Sequence, residues 1–238
     1  MFPAGPIGLR MKRNALIAIA AASLLAGLAA TKLTKKTVDE RLTEYGPAAR
    51  TRLQPHFEKA KLAYPPAKLL FVGIKDERRL ELYGAGTGQP WKFLRAYPAL
   101  AASGSLGPKL REGDRQVPEG IYPIELLNPN SRFHLSLRVG YPNAFDRTHA
   151  MADGRDQLGG DIMIHGNSVS IGCLAMGDEA AEDLFVLAAG TGLKNITVIL
   201  TPVDFRRGKV VPPGTALPAW TPELYAQIRT NLAAVPLP

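Results

Sequence analysis

From Lys68 onward the hydrophobic positions fall into short runs divided by turn residues, a pattern that predicts strands. Residues 69–74 form one continuous apolar run and 76–78 a charged turn. Leu80 and Leu82 then alternate with Arg79, Glu81 and Tyr83, so the segment reads as a hairpin. Trp91, Phe93, Ala96 and Tyr97 mark another strand, and residues 121–127 a further one after the turn at Pro118, Glu119 and Gly120. Phe133, Leu135, Leu137 and Val139 share one face of a two-residue period broken by His134, Ser136 and Arg138. Strands are also predicted over 161–165 and 196–200, and a helix over 179–189. The fold class that follows is mainly β with a few helices, a β-sandwich or partly closed barrel. Residues 104–120, rich in Gly, Pro and charge, form a loop long enough to carry function.

The N-terminal third follows other rules. Arg10, Lys12 and Arg13 precede residues 15–30, whose apolar run is interrupted only by Ser23 and Gly27 and ends in small residues. Sixteen helical residues span about 24 Å, short of a bilayer core of about 30 Å, so the run predicts an export signal, with a retained anchor as the alternative. The working compartment is then the periplasm or cell envelope. Between 31 and 66 the chain is charged and then punctuated by Pro47, Pro55, Pro65 and Pro66, which predicts a stalk with a short helix. Beyond Pro202, repeated prolines predict a surface tail over 203–238 with one late helix over 223–232.

The formal charge of +8 points at first to nucleic acid. Residues 1–36, however, hold six of the 29 basic side chains and no acidic one, and without them 23 basic residues face 21 acidic. No sustained basic face remains to track phosphates, so nucleic acid is not an expected partner. One cysteine, Cys173, excludes an internal disulfide framework and a CxxC-type zinc or redox site. The segment 84–89 lacks the last glycine of GxGxxG, and neither GxSxG nor SxxK is present.

Chemistry concentrates in residues 161–178. His165 ends a predicted strand at Gly166, and Cys173 follows Gly172 eight positions later, so glycines at both ends of the loop let thiol and imidazole meet. A free thiol is only about 3% thiolate at neutral pH, and lowering its pKa by about two units would favour the anion by about 2.7 kcal/mol. The expected nucleophile therefore alkylates with a pH dependence below that of a free thiol. Amides around Gly172 and Cys173 are expected to donate to an oxyanion, which suits acyl transfer, and Ser170 and Ser168 to organise the loop. Taken singly, a buried Cys and a structural His remain the alternative. A metal site would need His149, His165, Cys173 and a carboxylate at no standard spacing, so none is expected.

The stretch IMIHGNSVSIGCLAM, with His165, Gly166, Ser170, Gly172 and Cys173 in order, resembles the active-site signature of YkuD-type L,D-transpeptidase catalytic domains. Residues 102–124 and 127–147 are similar to the YafK-like branch of that family, and the likeness runs over roughly 68–202. The resemblance implies a YkuD-like β-sandwich over 67–202 and no cofactor. It makes Cys173 the nucleophile and His165 the general base and acid, with a main-chain carbonyl orienting the imidazole. It implies attack on the carbonyl of an L-centre in a peptidoglycan stem peptide, a thioacyl-enzyme, and transfer to an amine. The alternative within the same chemistry is transfer to water, which cleaves L,D linkages or frees a peptidoglycan-tethered lipoprotein. Lys109, Arg111, Arg115 and Arg147 are the expected anchors for stem-peptide carboxylates. Ile171 and Ala175 depart from the family pattern, which commonly has a second His and an Asn or Arg there, and so predict fewer acceptor contacts. A noncatalytic wall-binding domain is the reading of another class.

Overall fold

The computed structural model describes Met1 and residues 35–170, 172–213 and 215–238. The expected export signal or anchor over 1–30 lies almost entirely outside them. Residues 36–238 form one compact unit.

Among the described residues nine strands make a single sheet: β1 (Lys68–Ile74), β2 (Arg79–Ala85), β3 (Lys92–Pro98), β4 (Ala101–Ala102), β5 (Gly120–Ser131), β6 (His134–Val139), β7 (Met163–His165), β8 (Leu174–Ala175) and β9 (Ile196–Thr201). Their spatial order is β3-β2-β1-β9-β5-β6-β7-β8-β4. Most pairs are antiparallel, while β1 with β9 and β7 with β8 are parallel. The expected hairpin is present, with Leu70 opposite Tyr83 and Ile74 opposite Arg79.

The order of strands decides between sandwich and barrel. β3 and β4 occupy opposite edges of the sheet, yet only Ala99 and Leu100 join them. Three Cα–Cα steps span at most about 11 Å, whereas a flat nine-stranded sheet is about 38 Å wide. The sheet therefore curls until its edges almost meet, a half-barrel. β5 makes the bend: its first residues pair with β9 and its later ones with β6, with register breaks between Ile124 and Leu126 and between Asn128 and Ser131.

Among the described residues four α-helices flank the sheet: α1 (Val38–Ala60), α2 (Ala144–Ala152), α3 (Asp178–Thr191) and α4 (Thr221–Leu232). The stalk expectation is corrected by α1, which runs for 23 residues and buries Gly46, Ala49, Leu53 and Phe57 along one face. A capping box at Thr37 and Glu40 starts it. Pro47 and Pro55 do not break it because both are exposed, so the carbonyls they leave unpaired, those of the exposed Thr43 and Thr51, face water. Leu53 and Phe57 join Phe71, Leu82, Leu184 and Phe185 in the main core. Arg52 ties α1 to α3 through Glu182 at 2.8 Å and Asp183 at 2.7 Å.

The tail over 203–238 is likewise not confined to the surface. Leu70, Val72 and Ile74 point away from the main core, and α4 covers them with Leu224, Tyr225, Ile228 and Leu232. β1 is thus buried on both faces, which is why its sequence is a continuous apolar run rather than an alternation. If α1 is part of the folded unit, Leu53→Ala lowers the stability of the whole domain by about 2–5 kcal/mol in a denaturant titration. A stalk would lose almost nothing.

Candidate active site

β7 lies between β6 and β8, with His165 opposite Ser136 on one side and Ala175 on the other. Side chains alternate along a strand, so Met163 and His165 share a face. Extending the parallel register of β8 by one residue sets Cys173 beside Met163, and the Met163 amide donates to Cys173 Sγ at 3.4 Å. Thiol and imidazole therefore occupy neighbouring strands, one two-residue step apart.

The loop between them is closed at its base by three bonds. The Met176 amide donates to the His165 carbonyl at 2.8 Å, the Gly177 amide to the Asn167 carbonyl at 3.0 Å, and the Asn167 amide to Asp178 Oδ1 at 2.7 Å. Gly166 is required by close approach, since a Cβ there would meet Asp178 Oδ1 at 2.5 Å and the Phe133 carbonyl at 2.9 Å. Gly172 takes φ +100°, a conformation that a side chain would strain. Ile171 lies outside the described residues.

His165 is 2% exposed. Its Nδ1 lies 2.6 Å from the Gly166 carbonyl, which can only accept, so Nδ1 carries the proton and Nε2 is left as the basic nitrogen. Phe133 covers the ring, with centroids 4.8 Å apart and planes inclined by 30°. Phe133 was expected among the core-facing residues of β6, but it sits outside the strand and is partly exposed. Burial holds the imidazole pKa below its ordinary value, and the Gly166 carbonyl opposes this.

Cys173 is half-buried, accepts from Met163 and donates toward the Asp161 carbonyl at 3.7 Å. Among the described residues it makes no hydrogen bond with His165. Burial pushes the thiol pKa up, against the Met163 amide. The direction is opposite to the lowering of the thiol pKa expected from the sequence.

The expected oxyanion donors are also otherwise engaged. The Gly172 amide donates to Ser103 Oγ at 2.5 Å and the Cys173 amide to Ser170 Oγ at 3.1 Å, while Ser170 Oγ itself donates to the Cys173 carbonyl at 2.5 Å. Ser170 organises the turn that presents the thiol. Ser168 lies on the outer part of the loop, where its amide meets Asn167 Oδ1 at 2.6 Å.

Cys173 opens onto a cleft of about 210 Å³ walled by Lys109, Glu112, Arg115, Asp161 and Ile162. Of the four expected carboxylate anchors, only Arg115 offers an exposed side chain at this wall. Lys109 is 6% exposed and spent on Asp114 at 2.5 Å and the Arg111 carbonyl at 2.8 Å, so it braces the loop instead. Arg111 lines an adjacent cleft with Asp114 and Arg155, and Arg147 is exposed on α2 and lines neither. Ala175 is fully buried in β8, opposite His165, and is not among the residues that wall the cleft. His149 packs between Phe145 and Trp220 on α2, away from the cleft wall.

Sequence reasoning missed Ser103, Asp114 and Phe133 as parts of the site. Asp114 has a signal, an aspartate after glycine inside a loop, and it accepts the amides of Leu110, Arg111 and Gln116 at 2.9–3.0 Å. Ser103 has none, because it lies 69 residues from Gly172.

The model of the YkuD L,D-transpeptidase catalytic domain matches residues 67–211. The protein named "Putative L,D-transpeptidase YafK" from Escherichia coli K12 is 40% identical over 119 residues, which cover 49% of this chain and 46% of that protein. The chain thus spans about half the length of the curated relatives it matches. Among solved structures, the helical cell shape determining protein Pgp2 from Campylobacter jejuni aligns with a TM-score of 0.48 at 20% identity, covering 58% of this chain and 48% of that one. Bd1075 from Bdellovibrio bacteriovorus aligns at 0.42 and 23%, covering 57% and 48%. With the family model spanning more than half of the sequence, from the first strand past the last, the chain belongs to the YkuD family of L,D-transpeptidase catalytic domains.

Proposed function

We propose that this domain is a peptidoglycan acyltransferase of the L,D-transpeptidase type, acting on stem peptides in the cell envelope through a thioacyl-enzyme at Cys173. What carries the proposal is one juxtaposition: a thiol at a cleft, with the basic nitrogen of a carbonyl-oriented imidazole on the next strand.

The burial of both groups bears on the order of events. In a site where burial disfavours both thiolate and imidazolium, attack and proton transfer are coupled. Cys173 Sγ bonds to the carbonyl carbon of the L-centre as its proton passes to His165 Nε2. The C–N bond to the D-centre then breaks, and Nε2 returns the proton to the leaving amine. An acceptor amine attacks the thioester, gives its proton to Nε2, and the thiol is restored. Water in place of the amine gives hydrolysis, and a protein tethered through the same linkage is released by that route. The Gly172 and Cys173 amides become oxyanion donors by exchanging Ser103 and Ser170 for the substrate oxygen.

Incubating the protein with a tetrapeptide muropeptide, an acceptor amine and a lipoprotein-tethered peptidoglycan fragment, with products identified by mass, tests the proposal. Cross-linked or cleaved L,D products are expected from the wild type and none from Cys173→Ala. His165→Gln is expected to lower kcat by about 10²–10⁴-fold. No acyl-enzyme adduct at Cys173 with any of these substrates would leave only wall binding.

The pH dependence has a definite sign. A histidine is competent as base when neutral, so an imidazole pKa held below its ordinary value keeps the enzyme active to lower pH, and activity falls as pH drops through that lowered value. The acid limb of kcat/KM is therefore expected below pH about 6.5. Iodoacetamide labelling of the free enzyme should rise at higher pH than that of a free thiol, because burial raises the Cys173 pKa. A labelling midpoint below that of a free thiol would show a standing thiolate.

A further inference from the structure

A second cleft, larger than the one at the thiol, opens elsewhere on the molecule. It has a volume of about 690 Å³, lies between α1 and β3, and shares no lining residue with the thiol cleft. We propose that it is a docking site for an extended acidic peptide, which adds as a strand to the free edge of β3.

The shape of the cleft points to strand addition. Phe93, Leu94, Arg95 and Ala96 all line it. Consecutive side chains of a strand point to opposite faces, so a cavity touched by four in a row runs along the edge of the strand rather than over one face. β3 is a terminal strand of the sheet and pairs with no strand but β2 among the described residues; on its outer side the His56 ring meets the Leu94 main chain, a contact that an added strand replaces. Its register slips at Leu94, between Leu82 and Tyr83 of β2, a bulge of the kind that discourages indiscriminate pairing at an open edge. The volume falls within the range of peptide- and ligand-sized sites, about 300–1,000 Å³.

The charge of the walls selects the partner. Arg52, His56 and Lys59 come from α1 and Arg95 from β3, and no acidic residue is among the lining side chains. Asp183, buried behind the wall, fixes Arg52 at 2.7 Å and Arg95 at 3.3 Å, and Arg95 also lies over the Tyr97 ring at 4.7 Å. Both guanidinium groups are therefore held in place before a ligand arrives, which reduces the entropy lost on binding. Their charges are balanced by Asp183 and Glu182, so the attraction comes from Lys59 with Lys61 and Lys92 at the rim. Lys92 Nζ is bonded to the Lys61 carbonyl at 3.1 Å, and none of the three lysines forms an ion pair among the described residues. A peptide with carboxylates at alternate positions matches this wall in charge, and its backbone matches the edge. A phosphate polymer matches the charge alone.

The test uses the Cys173→Ala protein, so that turnover does not obscure binding, and a fluorescent peptide alternating Glu and Val. Fluorescence anisotropy should show saturable binding that weakens as salt rises. Replacing Glu by Gln in the peptide, or Lys59→Glu in the protein, should weaken it by about tenfold or more. Methylating the peptide's backbone nitrogens at alternate positions should also abolish binding, since the charge is kept and the ladder is lost. Lys59 is exposed, so its substitution leaves the fold intact, and an unchanged melting temperature verifies this. Equal affinity for the Glu and Gln peptides, full affinity of the methylated peptide, competition by short-chain polyphosphate as strong as by the unlabelled peptide, or unaltered binding to the Lys59→Glu protein would each overturn the proposal.

Discussion

Two residues, Ala99 and Leu100, hold together the opposite edges of a nine-stranded sheet, and the rest of the structure answers to that link. The Ala99 amide donates to the Arg78 carbonyl at 2.7 Å and the Leu100 amide to the Ala175 carbonyl at 2.8 Å, so each end of the link is fastened to a different half of the sheet. The link delivers β4 to β8, where Ala101 pairs with Ala175 and Ala102 with Leu174. β8 is two residues long and would have little reason to persist as an edge. Held between β7 and β4, it fixes the chain immediately after Cys173. The next residue along, Ser103, then reaches the Gly172 amide. The position of the thiol is thus a consequence of sheet closure as much as of its own loop.

Closure also sets the surroundings of the two groups. The sheet and Phe133 bury the imidazole while the thiol stays half-buried at the cleft, and among the described residues no carboxylate is bonded to the imidazole. The Gly166 carbonyl supplies orientation without charge. In the mechanism proposed above, a base with one defined tautomer takes its proton as the sulfur attacks, which couples reactivity to a bound substrate.

Much of this is legible in the sequence where one local pattern dominates. The β1–β2 hairpin, β6 and α3 follow from periodicity, and the glycines at both ends of the segment from His165 to Cys173 allow a chain reversal that sets the two residues on neighbouring strands. The failures share a cause. Pro47 and Pro55 argue for a stalk only if their helix faces are assumed buried, and which face is buried depends on Leu53 and Phe57 meeting a sheet remote in sequence. α2 carries its own N-terminal signal, Asn143 with Asp146 in a capping box, which periodicity in so short a helix does not reveal. The apolar run of β1 requires a cover on both faces, and α4, read as a late helix in a surface tail, is that cover. Lys109 looked like an anchor because composition cannot show that Asp114 neutralises it.

The loop over 103–119 shows how such a site can keep its geometry while its walls vary. Glu119, fully buried, accepts from Lys75 at 2.9 Å, from the Gly107 amide at 2.7 Å and from Tyr225 at 2.8 Å. Lys75 in turn donates to the Gly107 and Val117 carbonyls, and Gln116 to those of Ser105 and Gly107. Apart from those that Lys75 and Tyr225 give to the Glu119 carboxylate, these bonds end on main-chain atoms of the loop, so they constrain its path and not the identity of its outward side chains. Removing either partner of the Lys75–Glu119 pair leaves a buried charge uncompensated, which costs about 3–5 kcal/mol in such settings, more than the intact pair contributes. The pair constrains the backbone beside the thiol, and Glu112 and Arg115 are exposed on that backbone at the wall of the cleft.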